Sequence, residues 1–274
     1  MIRDITIGQY YPSDSVLHRL DPRVKLFATM IYVISLFLDK SVIALGAAAI
    51  ILGLVIAVSR VPLSYIVRGL KPVLFLLLFS CVLNMFFTRG ETVWWEWKFL
   101  TLSKEGLFNA GFMGARLVLL VVGSSLMTFT TTPNQLTDGI EKAFRPLNKL
   151  HLPVHEFAMM MSIALRFIPI LTEELDKIMK AQAARCAGFE EGNLIEKAKG
   201  LVPIMIPLFV SAIRRANDLA LAMEARCYQG GTGRTKMYPL YYKKWDYVGY
   251  GVIFLYLAGM IALKILVLKY KLSV

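Results

Sequence analysis

"SVIALGAAAIILGLVIAV", residues 41–58, is an eighteen-residue run without a single charged side chain. A helix needs about 20 apolar residues to cross the hydrocarbon core of a bilayer. Comparable apolar runs occupy residues 26–38, 73–88, 107–130 and 246–268, and 57% of the whole chain is hydrophobic. The sequence therefore predicts an all-α integral membrane protein with about five transmembrane helices.

The basic residues indicate how these helices are oriented. The chain carries 31 Lys and Arg against 19 Asp and Glu. Residues 59–72 contain three basic residues and no acid, whereas residues 88–106 carry mixed charges and three tryptophans. Cytoplasmic loops are enriched in Lys and Arg, and Trp collects at the membrane interface. We therefore expect a cytoplasmic loop at 59–72, an external loop at 88–106 and a cytoplasmic N-terminus.

Residues 132–245 differ from the apolar runs. Charged side chains alternate there with Ala, Leu, Ile and Met, which is typical of amphipathic helices in or below the membrane interface. Because basic and acidic residues alternate along these helices, we expect no nucleic-acid partner. The predicted parts are an N-terminal cytoplasmic segment (1–25), transmembrane helices 1–4 (26–131), cytoplasmic helices (132–245), and transmembrane helix 5 with a tail (246–274).

Two long helices are predicted inside the polar insert, at about 154–187 and 195–228. The proline-containing run at 200–213 is too short to span a bilayer, so we expect a buried or half-buried helix there. The two helices end alike, in "AARCAG" at 183–188 and "EARCYQG" at 224–230. Glycine commonly caps a helix C-terminus in the left-handed conformation.

The arginine at each of these ends has two interpretations. A cation near a helix C-terminus is favoured by about 0.3–1 kcal/mol through the helix dipole alone. Alternatively, small neighbours let the guanidinium protrude into a pocket and bind a carboxylate in bidentate geometry. Two similar ends then suggest two similar pockets, as a dimer offers. The candidate docking residues are Ala184, Arg185, Cys186, Gly188, Ala225, Arg226, Cys227 and Gly230.

A second candidate surface is rich in methionine. Its residues are Met159, Met160, Met161, Phe167 and Met205. Core packing is the simplest interpretation of these methionines, and an adaptable surface that accepts several protein partners is the alternative.

The sequence predicts no catalytic residue, cofactor or metal site, and hence no enzyme. "GTGRTK" at 231–236 lacks the spacing of a phosphate-binding loop, and Pro153 separates His151 from His155. A secondary transporter or channel is the alternative function, because Asn84 and Arg116 fall within predicted spans.

Several motifs in combination are similar to one family, the transmembrane T components (EcfT) of energy-coupling factor (ECF) transporters. They are "DSVLHRLDPRVKL" (14–26), "TTPNQLTDGIEKAFRPL" (131–147), "MMMSIALRFIPIL" (159–171) and the two arginine-containing helix ends. The resemblance implies a multi-pass subunit of the bacterial cell membrane with a cytoplasmic coupling domain. It also implies two ATPase subunits and a substrate-binding S component as partners, in an importer of vitamins or metal ions.

The resemblance also assigns a role to the arginines. In this family two Ala-Arg-Gly signatures at the tips of coupling helices insert into grooves of the two ATPases. Here they fall on Ala184-Arg185-Cys186 and Ala225-Arg226-Cys227, with Cys in place of Gly. Any turn that requires glycine is therefore expected to move to Gly188 and Gly230. The methionine-rich surface becomes a candidate contact for the S component.

Overall fold

The computed structural model describes residues 10–38, 41–87, 93–97, 100–146, 153–185, 194–230 and 239–270. The chain divides into two compact units, which are described separately below. The first unit comprises Met1–Gly139 and Leu240–Val274, and the second comprises Ile140–Pro239.

Helices make up most of both units. In the first unit they are α1 (Val16–Arg19), α2 (Pro22–Leu38), α3 (Val42–Ser59), α4 (Leu63–Phe87), α5 (Lys104–Thr130) and α9 (Lys244–Tyr270). Helix α6 (Pro133–Phe144) leads into the second unit, which contains α7 (Val154–Ala184) and α8 (Leu194–Ala225). A short antiparallel hairpin, β1 (Val93–Trp97) and β2 (Leu100–Ser103), precedes α5. The predicted all-α fold class is confirmed, with this hairpin as a local addition.

Five of the described helices are long and apolar enough to cross a membrane, judged by length and composition. They are α3, α4, α5, α7 and α9. Their number matches the sequence prediction, but the set differs. Helix α2, predicted as the first span, has only 17 residues. Helix α7, predicted to lie at the membrane surface, satisfies the length and composition of a span.

The predicted loop at 59–72 is wrong over most of its length. Arg60 adopts a left-handed φ of 56° and ends α3, and α4 already begins at Leu63. Arg68 and Lys71 consequently lie on this helix and not in a loop. The predicted loop ends at Pro72, but this proline lies inside α4. Proline is tolerated within long membrane helices because neighbouring groups satisfy the freed carbonyl.

The core of the first unit lies between α3, α4 and α5. Its buried members are Leu52, Val61, Ile66, Val122, Leu126 and Phe129. A close approach between α2 and α5 supports this packing, because a Cβ added at Gly123 would collide with the ring of Tyr32. Glycine is therefore required at this contact.

A buried carboxylate joins the segment before α2 to the start of α9. Asp246, which is 1% exposed, accepts the backbone N–H of Asp21 at 2.8 Å and that of Lys243 at 2.6 Å. Asp21 in turn accepts two hydrogen bonds from the Arg23 guanidinium, at 3.1 Å from Nε and 3.0 Å from Nη2, and a third from the Arg23 backbone N–H at 2.9 Å. The Arg23 guanidinium lies 4.0 Å from the ring centroid of Tyr242. Charges and donors in this cluster are therefore compensated.

Two further residues of the 14–26 motif extend this cluster. The Lys25 ammonium donates to the carbonyl of Thr130 at 2.8 Å and to that of His18 at 3.3 Å. His18 Nε2 lies 3.0 Å from the carbonyl of Tyr11, so Nε2 carries the proton and Nδ1 accepts from Ser15 Oγ. Burial lowers the pKa of His18 below its ordinary value, so the ring is neutral at pH 7. The motif thus connects α1, α2, α5 and α9.

Candidate functional site

Helices α7 and α8 form an antiparallel pair in the second unit. Near the end of α7, the Gln182 side-chain amide donates to the carbonyl of Pro203, near the start of α8, at 3.4 Å. Earlier in α7, Glu174 Oε2 lies 3.0 Å from Nη2 of Arg215, which is later in α8. The C-terminal ends of α7 and α8 therefore lie at opposite ends of the pair.

The first arginine lies at the end of α7. The helix ends at Ala184, and the N–H of Arg185 bonds the Gln182 carbonyl at 3.0 Å. Ala183, Ala184 and Arg185 are all exposed. The Arg185 side chain forms no ion pair with another described residue. The predicted docking residues Cys186 and Gly188 lie outside the described residues.

The second arginine belongs to a complete helix-capping motif. After α8 ends at Ala225, the N–H of Tyr228 bonds the carbonyl of Met223 at 3.1 Å, and the N–H of Cys227 bonds that of Glu224 at 2.9 Å. These two bonds define a Schellman motif, in which the residue after the C-cap is left-handed and usually glycine. Here that residue is Cys227, with φ 54°.

The expected transfer of this turn to Gly230 is therefore wrong. Cys227 itself adopts the left-handed conformation, and Gly230, although its φ of 88° is also positive, lies outside this capping motif. The physical reason is the hydrogen-bond pattern, because only the residue directly after the C-cap can close the 6→1 bond. Arg226, the C-cap, is exposed and forms no ion pair with another described residue.

Replacing Cys227 with glycine is expected to stabilise this helix end. A side chain in the left-handed region costs about 1 kcal/mol or more, and glycine avoids that cost. About 1 kcal/mol corresponds to roughly fivefold slower opening, which amide hydrogen exchange at residues 223–228 would detect. Cys227→Ala retains the Cβ and is the control. Equal exchange in both variants would contradict the assigned strain.

An apolar stripe runs along α8 and corrects the prediction for residues 200–213. The run is helical, but only Ile204, at 3% exposed, is buried. The exposed members of the stripe are Leu201, Val202, Met205, Ile206, Phe209, Val210 and Ile213, which are between 47% and 65% exposed. They recur at helical spacing and form one face. A continuous apolar surface of this kind marks contact with lipid or with another protein.

The predicted methionine surface is not one patch in the structure. Met160 and Met161 are exposed on α7, and Met159 and Phe167 are half-buried. Met205 lies two residues from Pro203, which contacts Gln182. Met161 lies 21 residues before Gln182, or about 31 Å along the helix. Met159–Met161 and Met205 therefore belong to different ends of the helix pair.

The remaining polar candidates have structural contacts. His155 Nδ1 lies 2.8 Å from Glu141 Oε1, and no cluster of His, Cys, Asp or Glu in the described residues could hold a metal ion. Asn84 donates to the carbonyl of Ser80 in its own helix at 3.0 Å. Arg116 is buried, with its guanidinium 4.7 Å from the ring centroid of Phe112. His151 and the run 231–236 lie outside the described residues.

Sequence reasoning missed the polar contacts between α7 and α8, which involve Glu174, Gln182, Arg215 and the carbonyl of Pro203. One signal was available for the last of these. Pro207 has no N–H, so it leaves the carbonyl four residues earlier, that of Pro203, without its helical partner. The need for an outside donor could therefore have been inferred, although Gln182 could not have been identified as that donor.

The fold and the site together define a multi-pass membrane protein with an antiparallel pair of long helices that end in exposed arginines. The family model of the cobalt transport protein CbiQ matches residues 13–237. The energy-coupling factor transporter transmembrane protein EcfT of Clostridium kluyveri is 54% identical over 249 residues, covering 90% of this chain and 92% of that protein.

Two further relatives support the same assignment. EcfT of Ruminiclostridium cellulolyticum is 47% identical, covering 96% of this chain and 98% of that protein. EcfT of Bacillus subtilis is 46% identical, covering 86% of this chain and 89% of that protein. The chain belongs to the cobalt transport protein family and, within it, to the EcfT transmembrane components of energy-coupling factor transporters. The resemblance found in the sequence is confirmed.

Proposed function

We propose that this T component couples two ATPase subunits to a substrate-binding S component, and that ATP-driven motion thereby imports a vitamin or a metal ion. One observation carries the proposal: two exposed arginines end the helices of one antiparallel pair. Each guanidinium is available to a partner, because neither forms an ion pair with another described residue.

The spacing of the arginines supports a symmetric partner. Arg185 lies eleven residues beyond Glu174, and Arg226 lies eleven residues beyond Arg215. Since Glu174 and Arg215 contact each other, the two ends are equally far from the point where the helices meet. Two equivalent grooves related by a twofold axis, as in a pair of ATPase subunits, suit this arrangement.

An acidic groove is the chemistry that each arginine end requires. Guanidinium presents a fork of N–H donors that matches a carboxylate, and hydrogen bonds to charged groups contribute about 1.5–3 kcal/mol each. The exposed Ala184 and Ala225 next to the arginines leave room for a close approach. In this proposal the second unit is cytoplasmic, and ATP hydrolysis belongs to the partners, so the chain itself is not an enzyme.

The α8 stripe is the surface we assign to the S component, with Met205 inside it. The exposed Met160 and Met161 on α7 are a second, smaller candidate, next to the half-buried Met159 and Phe167. A helix anchored at its arginine end can transmit only the difference in binding energy between the states of its partner. A stiff pair of long helices that binds the S component along the α8 stripe could transmit such a difference from the ATPases to the S component.

The S-component assignment predicts the effect of Phe209→Glu. Phe209 is 65% exposed in the centre of the stripe, and a carboxylate there would have to be desolvated on binding. We expect the variant, affinity-purified from native membranes, to lose the S component and to retain both ATPases. The retained subunits would be identified by mass spectrometry.

Leu221→Glu is the matched control. Leu221 is also 65% exposed and lies on the same helix, twelve residues further along and outside the stripe. We expect this variant to retain the S component. Purification of the unsubstituted chain without any ATPase would contradict the proposed function and favour a secondary transporter or channel instead.

A further inference from the structure

We infer that Glu174, Arg215 and Gln182 are positioning residues that set the placement of the two arginine ends relative to each other. Their importance for transport rests on the proposed function, but their effect on the positions of the two arginine ends does not. All three lie within the α7–α8 pair of the second unit. None of them is one of the residues assigned to partner contacts above.

The first contact, the ion pair between Glu174 and Arg215, lies midway between the two arginine ends. Glu174 Oε2 and Arg215 Nη2 are 3.0 Å apart, and their side chains are 27% and 39% exposed. An ion pair this exposed adds little net stability. Arg215 Nε, however, is buried without a hydrogen-bond partner among the described residues, so the guanidinium is partly desolvated. The contact therefore selects one register of the two helices and does little for their stability.

Because of its position, this ion pair affects the placement of both Arg185 and Arg226. Eleven residues are about three helical turns, or about 16 Å, so each terminal arginine lies on the same side of its helix as its member of the ion pair. Rotation or sliding of α7 against α8 at Glu174 and Arg215 would move Arg185 and Arg226 together. One contact thus constrains two distant side chains.

The second contact fixes the end of α7. Pro207 cannot donate to the carbonyl of Pro203, and the Gln182 amide bonds that carbonyl at 3.4 Å. Gln182 lies three residues before Arg185, on the last turn of α7. The last turn of α7 is therefore attached to α8 through a carbonyl that the helix itself leaves unbonded.

Spin labels on native cysteines measure the placement directly. Cys227 follows Arg226, and Cys186 follows Arg185 in the sequence. With Cys81→Ser as background, double electron–electron resonance on the full chain in lipid nanodiscs gives the distance distribution between the two labels. We expect one narrow distribution for the unsubstituted pair.

Charge reversal should disturb this distribution. Glu174→Arg or Arg215→Glu places like charges within contact distance, so we expect the mean distance to shift and the distribution to broaden. Combining both reversals restores opposite charges and should restore the narrow distribution. Glu174→Gln, which removes charge with little change in size, should broaden it less. Glu173→Arg and Arg214→Glu are matched controls, because both residues are exposed neighbours on the same helices, and they should leave it unchanged.

Two results would overturn the inference: single reversals that resemble the controls, or a combined variant that stays as broad as the single ones. The measurement uses the isolated chain, so it is independent of whether ATPases dock on the arginines. A failure of the proposed function would instead appear in the substitutions of Arg185 and Arg226 described below.

Discussion

Replacement of both Arg185 and Arg226 by alanine is expected to abolish co-purification of the two ATPase subunits. Truncating one partner of a hydrogen-bonded charge pair at an interface costs about 2–5 kcal/mol, largely because the other charge stays buried and unpaired. Each single substitution should therefore weaken assembly by at least about thirtyfold. Quantitative pull-down from detergent-solubilised membranes measures this loss.

Two sets of variants distinguish the effect of guanidinium geometry on ATPase binding from the effect of net charge. Arg185→Lys and Arg226→Lys retain the charge but lose the planar fork of donors, so we expect only partial recovery of ATPase binding. Arg166→Ala and Arg214→Ala remove the same charge from exposed positions on the same two helices and should bind normally. If these controls lost the ATPases as fully as the double variant, the net charge of the unit, and not the two helix ends, would explain binding.

Asp246→Ala is expected to lower the free energy of unfolding of the chain by about 1–3 kcal/mol. The Asp246 carboxylate is 1% exposed and accepts the N–H groups of Asp21 and Lys243. Alanine would leave both N–H groups without this acceptor, and that of Asp21, a residue only 6% exposed, would stay buried at a cost of about 1–3 kcal/mol. Denaturant unfolding of the purified chain in detergent, followed by circular dichroism, measures the change.

Two comparisons test the cause of this loss. Asp246→Asn keeps one acceptor oxygen in place of two, so we expect about half of the destabilisation. Asp14→Ala removes a carboxylate whose side chain is 89% exposed and lies 3.6 Å from Arg19, and surface pairs of this kind contribute little. Equal stability of the Asp246→Ala and Asp14→Ala variants would show that the buried carboxylate does not hold α9 to the segment before α2.

The helices themselves were largely predictable from the sequence. Apolar runs located α3, α5 and α9, and the prolines and glycines near their ends located α7 and α8. The prediction started α4 only after Pro72, because proline usually interrupts a helix. In the structure Pro72 lies inside α4, as long membrane helices allow. Burial of residues 200–213 was overestimated, since apolar side chains need not face their own chain and can form a surface for lipid or another protein.

The site was predictable only in part. Arg185 and Arg226 stood out because small residues surround them, and the structure leaves both exposed. The left-handed Cys227 was not predicted, because sequence rules place glycine at that position and the nearest glycine was Gly230. The contact between Glu174 and Arg215 depends on the register of α7 against α8, which no local pattern in either helix specifies.

ATP-driven uptake by the reconstituted complex tests the central claim most directly. The chain would be assembled in liposomes with both ATPases and the S component that co-purify with it, and import of the substrate bound by that S component would be followed with and without ATP. With alanine at both Arg185 and Arg226 we predict no uptake above the ATP-free background, while the Arg166→Ala, Arg214→Ala double variant imports normally. Full ATP-driven uptake by the Arg185→Ala, Arg226→Ala variant would contradict the account.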